Sequence, residues 1–273
     1  MGYYYNTKAR LKQQLTHHHR WPFPSKFSKF YNQKSWLVIS SVAGFSKVWL
    51  EWLNKLRVFN RETFEACLKA DRPLITVSNH HACMDDPLLW GMLSWRDILN
   101  PLPRIRWTLA AHDVVFTKRW HATFFSLGRC IPVVRGDGVY QRGVEYCLER
   151  LRQGCWIHMF PEGGVNLTKE VMRLKWGVGR LVADCVPAPI VLPMWHVGMD
   201  RVLPNRRPYI LRVGKKVTVL FGSPVNMEDT KEYLRENKAT PVECRKHITD
   251  IIQEKLYELR STAEQLDAEP WTF

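Results

Sequence analysis

With 273 residues and 45% hydrophobic content, the chain is long enough to bury a substantial core, which excludes a disordered or fibrous class. Its formal charge of +14 is lopsided: residues 1 to 50 hold eight Lys or Arg and no acid, while the other 223 residues carry 32 bases against 26 acids. That balance and twelve tryptophans suit an anionic membrane surface or a nucleic acid, and seven cysteines, an odd count with no CxxC pair, speak against a disulfide framework or a zinc knuckle.

Residues 1–35 are basic, polar and studded with aromatics without any period, and read as an arm. No apolar stretch ending in small residues precedes a cleavage site, so no secretory signal is expected. Residues 36–55 then read as an amphipathic helix. Ser40, Gly44, Lys47, Glu51 and Asn54 recur at steps of three and four on one face, and Val38, Val42, Phe45, Trp49 and Trp52 on another. Eighteen residues reach roughly 27 Å and would place Lys47 and Glu51 inside a bilayer. The choice is therefore between an interfacial helix, contacting lipid through Trp36, Phe45, Trp49 and Trp52, and one packed on the domain.

From residue 72 strands alternate with helices. The strands are PLITVSN, RWTLAAH, CIPVV, CWIHMF, PIVLPMW and KKVTVLFG; helices are expected over about 87–99, 118–127, 140–151 and 174–183. This alternation predicts an α/β fold, with a mainly parallel or mixed central sheet flanked by helices on both faces. A single domain over 56–225 would carry the chemistry, and a helical region over 226–273 would pack on it. Thr240, Pro241 and Glu243 make a capped start for the final helix, with Val242, Ile248, Ile252, Leu256 and Leu259 as its apolar stripe.

In such sheets ligands gather at the carboxyl ends of strands. The first strand is followed by NHHACMDDPLLWG, which holds two overlapping His/Asp pairs, His80 with Asp85 and His81 with Asp86. Pro87 suits the first helical position and so recruits Asp86 as the cap, leaving Asp85 free for His80. An Asp bonded to one imidazole nitrogen makes the other a positioned general base. A metal site from the same four residues is awkward, since adjacent histidines on an extended strand face opposite ways, and no metal or cofactor is expected. Arg135 leaves a later strand, where a guanidinium can grip a phosphate; Glu162 stands in the turn FPEGG with Gly163; Pro193 interrupts VLPMWHVG. Cys83 reads as packing rather than as an acyl carrier.

Together these residues resemble the glycerolipid acyltransferase superfamily. The matches are Asn79, His80 and Asp85 for its N-H-x4-D motif, Arg135 after the second motif strand, Phe160 to Gly163 for its F-P-E-G block and Pro193 for its V-x-P block. The similarity runs from about residue 36 nearly to the C-terminus. It implies catalysis by His80 and Asp85, with Asn79, Arg135, Glu162, Gly163 and Pro193 around the substrate. Within the superfamily the resemblance is to a mitochondrial, membrane-associated, coenzyme A-independent branch that transfers acyl chains between phospholipids and lysophospholipids, phosphatidylcholine among them, and remodels cardiolipin. It implies location on inner and outer membranes facing the intermembrane space, with a homo-oligomer or association with mitochondrial membrane complexes compatible with it. Arg206, Arg207 and Arg212, interleaved with Tyr209, Ile210 and Leu211, add a second membrane contact. Two rivals stand: a coenzyme A-dependent lysophospholipid acyltransferase using the same dyad, and a non-catalytic basic protein binding membrane or nucleic acid. Clustering of polar groups at strand ends argues against the second, and no nucleic-acid partner is expected.

Overall fold

A computed structural model describes residues 21–100 and 105–270; most of the expected N-terminal arm lies outside them. Eight strands form one sheet: β1 (Lys55–Phe59), β2 (Leu74–Ser78), β3 (Trp107–Ala111), β4 (Cys130–Val133), β5 (Trp156–Met159), β6 (Ile190–Val197), β7 (Lys216–Phe221) and β8 (Val225–Asn226). Their spatial order is β1-β7-β6-β2-β5-β3-β4, with β8 beside β6. From β6 to β4 every pairing is parallel, whereas β7 runs antiparallel to β6 and takes β1 with it, so the sheet is mixed. The carboxyl ends of β6, β2, β5, β3 and β4 therefore share one edge.

The helices are α1 (Lys29–Lys47), α2 (Arg61–Lys69), α3 (Asp85–Leu89), α4 (Trp95–Leu99), α5 (His112–Val115), α6 (Arg119–Leu127), α7 (Arg142–Arg152), α8 (Gly177–Asp184), α9 (Met199–Val202), α10 (Glu228–Glu236) and α11 (Pro241–Ala268). One face of the sheet is buried by α7, α8 and α11 through Val144, Leu148, Leu181, Ile248 and Ile252, and the other by α2 and α3 through Phe64, Leu68 and Leu88. The six strands read from sequence are all present, joined by the short β1 and β8. The Thr240–Glu243 capping box forms as expected, although Val242 lies exposed rather than in the apolar stripe.

The single helix expected over 87–99 is instead α3, a turn of tight helix at Trp90–Met92 and α4. Gly91 shows why: a Cβ there would stand 2.7 Å from the Ser46 carbonyl oxygen of α1, so the chain passes too close for any side chain. Ser94 then caps α4 by accepting from the Asp97 N–H at 3.1 Å.

The N-terminal helix begins at Lys29, where Ser28 caps it, seven residues before its apolar period becomes readable. The segment before it is docked, with Phe23 stacked on Tyr146 at 5.0 Å between ring centroids. Helix α1 presents Ser35, Ile39, Ala43 and Ser46 to the domain, and its hydroxyls donate to carbonyls there: Ser35 to Leu127, Ser40 to Ile98 and Ser46 to Pro87. Lys47 is buried against Glu51 at 2.5 Å. Small and hydroxyl residues allow close approach, so the polar stripe of Ser40, Gly44, Lys47, Glu51 and Asn54 is buried or half-buried. The face bearing Phe45, Trp52 and Leu53 points outward, and Trp95 of α4 joins it beside Trp52. Among the described residues no helix is long and apolar enough to cross a membrane.

Candidate active site

Strand β2 is buried on both faces and delivers Asn79 and His80 to the shared carboxyl edge. His80 Nδ1 lies 2.9 Å from Asp85 Oδ2, so the pair preferred from spacing is in contact. The same oxygen accepts from the N–H groups of His81 (2.7 Å) and Ala82 (2.9 Å), which folds the loop back on itself. Asp85 is fully buried and His80 17% exposed, so an anchored carboxylate backs an imidazole whose Nε2 is open to a ligand. Phe160 stacks on the His80 ring at 4.3 Å and limits its rotation.

Asp86 does not cap the helix. Met84 holds the cap position, and Asp86 pairs with the buried Arg106 at 2.6 Å. Arg106 arrives from the segment before β3 and stacks on Trp90. Removing Asp86 from the dyad is therefore the work of a salt bridge, not of the capping that its place before Pro87 suggested.

His196, near the end of β6, completes the constellation and was missed in sequence reading, which fixed on Pro193 in the same block. Its Nε2 lies 3.0 Å from the Asn79 carbonyl oxygen and 3.3 Å from Asp85 Oδ2, with the side chain wholly buried. A histidine closing a strand that pairs beside β2 was the signal available. Burial opposes ionisation of Asp85, yet His196 and His80 outweigh it and hold the carboxyl below its usual range. Burial likewise disfavours the His196 imidazolium, and Asp85 reverses this to a net upward shift. His81 is buried as well; Asn79 Nδ2 stands 3.1 Å from its Nδ1, and burial followed by His196 lowers its pKa to about 4. The neutral His81 ring packs edge-on against Trp195 and His196.

Asn79 and Pro193, expected around the substrate, are both buried within the sheet. The Asn79 carboxamide accepts from the His196 N–H at 2.9 Å and donates to the His196 carbonyl at 3.0 Å, extending the β2–β6 ladder past its last strand residue. It is fully buried and serves as a clamp. Pro193 is buried in β6 in register with Val77, and lacks the N–H a ladder needs. The position is tolerated because the partner strand turns away there, between β7 and β8, leaving only the Gly222 N–H to meet the Pro193 carbonyl.

Glu162 follows β5 at the same edge. Gly163 adopts φ +81°, which lets the Glu162 side chain turn inward, and the Asn166 N–H donates to the His80 carbonyl at 2.7 Å, tying this loop to the dyad. The Glu162 carboxyl is 1% exposed, and burial raises its pKa to about 7 against the opposing pull of His80 and Asn166. The folded state thus binds more protons than the unfolded one between about pH 4.5 and 7, so stability falls as pH rises through that window. Glu162→Gln is expected to leave the melting temperature unchanged near pH 4 and raise it at pH 8 by roughly 2–4 °C, about 1 kcal/mol after discounting for screening. Equal effects at both pH values, by calorimetry, would contradict this.

Arg135 leaves β4 at the shared edge, exposed and 3.7 Å from Asp113, three strand steps from β2. Among the described residues no contact joins it to His80 or Glu162. Cys83 is exposed rather than packed, and its thiol pKa is raised by burial and by Asp85, which disfavours the thiolate. A cleft of about 1150 Å³ between Trp21–Tyr31, α6 and the end of β4 touches neither His80 nor Asp85.

The Acyltransferase family profile matches residues 55–197, which span β1 to the end of β6 and so include every group of the site. This chain belongs to the acyltransferase family. A Drosophila melanogaster tafazzin is 48% identical over 91% of the chain and 67% of its own length, and a Dictyostelium discoideum taffazin is 41% identical over 61% of the chain and 60% of its own. The chain thus spans about two thirds of the length of these relatives. The crystal structure of the 1-acyl-sn-glycerophosphate acyltransferase PlsC from Thermotoga maritima superposes with a TM-score of 0.56 at 19% identity, covering 88% of this chain and 83% of that one; it shares the fold. Among the described residues, His80 is the histidine that is both paired with a buried carboxylate and partly exposed.

Proposed function

We propose that this acyltransferase of phospholipids moves acyl chains between phospholipids and lysophospholipids without coenzyme A, remodelling cardiolipin at a mitochondrial membrane surface. The observation that carries the chemistry is the His80–Asp85 pair, with Nδ1 committed to a buried carboxylate and Nε2 free. His80 Nε2 takes the proton of the lysophospholipid hydroxyl, and that oxygen attacks the acyl ester of a second lipid. The tetrahedral intermediate expels the glycerol oxygen of the donor, which recovers the proton from the imidazolium. An ester is broken and an ester is made, so the exchange is nearly isoenergetic and reversible. Asp85 steadies the transient imidazolium, Glu162 with Gly163 positions the glycerol, and Arg135 holds a lipid phosphate at the rim. The independence from coenzyme A, the cardiolipin substrate and the mitochondrial setting rest on the family resemblance. The deciding experiment mixes purified protein, labelled phospholipid and lysophospholipid with and without coenzyme A. Transfer without the thiol supports the proposal, and strict dependence on it selects the acyl-thioester reading.

Attachment to the surface uses the outward face of α1 and of the helical turn Val48–Trp52 that continues it. Phe45 stacks on Trp49 at 5.4 Å, Trp52 is 71% exposed, and Arg206, Arg207 and Arg212 are exposed on the loop before β7. Trp36 is half-buried and contributes less. Phe45→Glu combined with Trp52→Glu is expected to release the protein from anionic vesicles in flotation while leaving its melting temperature unchanged, since neither ring is packed in the core. Unaltered flotation would assign this face another role.

A further inference from the structure

The loop between α9 and β7 is stapled to the catalytic loop. Asn205 Nδ2 donates to the His81 carbonyl at 2.6 Å, and the Cys83 N–H donates to Asn205 Oδ1 at 3.3 Å. At its other end the Lys215 N–H donates to Asn54 Oδ1 at 2.8 Å, beside the end of the N-terminal helical segment. Between these ties lies a recess of about 450 Å³, bordered by Asp200, Arg201, Asn205, Arg206, Arg212 and Lys215.

Its charge is uneven. Asp200 is paired with Lys169 at 2.6 Å, and Arg201 is held by both oxygens of Asp267 at 2.7 and 2.8 Å. Arg206, Arg212 and Lys215 have no carboxylate partner among the described residues, so three cations converge on one hollow whose fixed acid is already neutralised. Exposed Leu167 borders it, and the loop that carries Arg206, Arg212 and Lys215 also exposes Tyr209, Ile210 and Val213. Cations beside exposed apolar groups fit a ligand with one phosphodiester and attached hydrocarbon.

The position matters as much as the charge. The recess follows β6, on one side of β2, whereas Glu162 and Arg135 follow β5 and β4 on the other. His80 stands between two cationic places. Exchange between two phospholipids brings two phosphates to one base, and one arginine cannot serve both in a ternary complex. We propose that the Arg206–Arg212–Lys215 recess is the phosphate site for the second lipid substrate, opposite Arg135. The assignment rests on the transacylase reading.

The test measures transfer in mixed micelles of uncharged detergent, where attraction to a charged surface is absent, varying phosphatidylcholine and lysophosphatidylethanolamine in turn with the other saturating. The triple variant Arg206→Gln, Arg212→Gln, Lys215→Gln is expected to raise KM for one lipid about tenfold, with kcat and the other KM little changed. Arg135→Gln should raise KM for the other lipid. Inorganic phosphate should compete with the affected lipid in the wild type and not in the triple variant. A parallel rise in both KM values, no rise in either, or a defect seen only on vesicles rich in anionic lipid would overturn the recess and leave it a surface contact. Competition by inorganic phosphate with no change in either lipid KM would overturn it in favour of a free-phosphate site. If the wild type transfers nothing without coenzyme A, the transacylase reading fails and this assignment with it; if the wild type transfers and the variant is unchanged, the recess alone fails.

Discussion

His80→Ala lowers acyl transfer by about a hundredfold or more, with the protein still folded and bound to vesicles. A positioned general base is worth about 10² to 10⁴ in rate, and the histidines packed around this one cannot replace it: His81, His158 and His196 are buried, whereas His80 opens to solvent. Folding survives because the ring is at the sheet edge, with contacts to Phe160 and Asp85 rather than to a hydrophobic cluster. Asp85→Asn gives a loss of similar order by a different route. The amide oxygen still accepts from the His81 and Ala82 N–H groups, so the loop persists, but the negative charge that steadies the imidazolium is gone. Initial rates with labelled phospholipid, together with melting curves, check both. Near-normal turnover in His80→Ala would falsify general-base catalysis here.

The second large effect is expected at His196. It never meets the solvent side of the site, yet its Nε2 is the side-chain group shared by Asn79 and Asp85. In His196→Leu the Asn79 carbonyl and the Asp85 carboxylate lose a buried donor, and an unsatisfied buried group costs about 1–3 kcal/mol. If that cost falls on the geometry of the dyad, kcat drops on the order of ten- to a hundredfold with KM nearly constant. His196→Gln distinguishes position from packing: its amide N–H can reach the same acceptors, so most of the activity should return. Equal losses in Leu and Gln variants would show that the donor is not what matters. Because His196 acts through Asp85, it is a positioning residue rather than one that touches the lipid.

The strand and helix alternation was readable because each element declares itself over a few residues: a buried β-rich run, then a helical period. β1 and β8 were not readable. Lys55–Phe59 mixes two basic residues with three apolar ones, and Val225–Asn226 is two residues long, so both are strands only because a neighbour supplies their hydrogen bonds. The N-terminal helix was visible as amphipathic, but not which face packs. Composition favours burying Trp and Phe, whereas close packing against α3 and Gly91 favours Ser and Ala, and the second consideration prevailed. Trp52 and Phe45 are then left exposed.

At the site, His80 and Asp85 are five positions apart, Glu162 sits in its own turn, and the Thr240 cap spans three residues; such relations are short enough for residue order to determine them. The rest was decided by tertiary contact. Arg106 claims Asp86 from 20 residues away, and Asn79 clamps His196 across 117. Nothing local distinguishes a paired aspartate from a capping one, or a structural asparagine from one that binds substrate. That distinction arises only when the sheet closes and buried polar groups must each find a partner, because an unsatisfied one is costly in a low-dielectric interior.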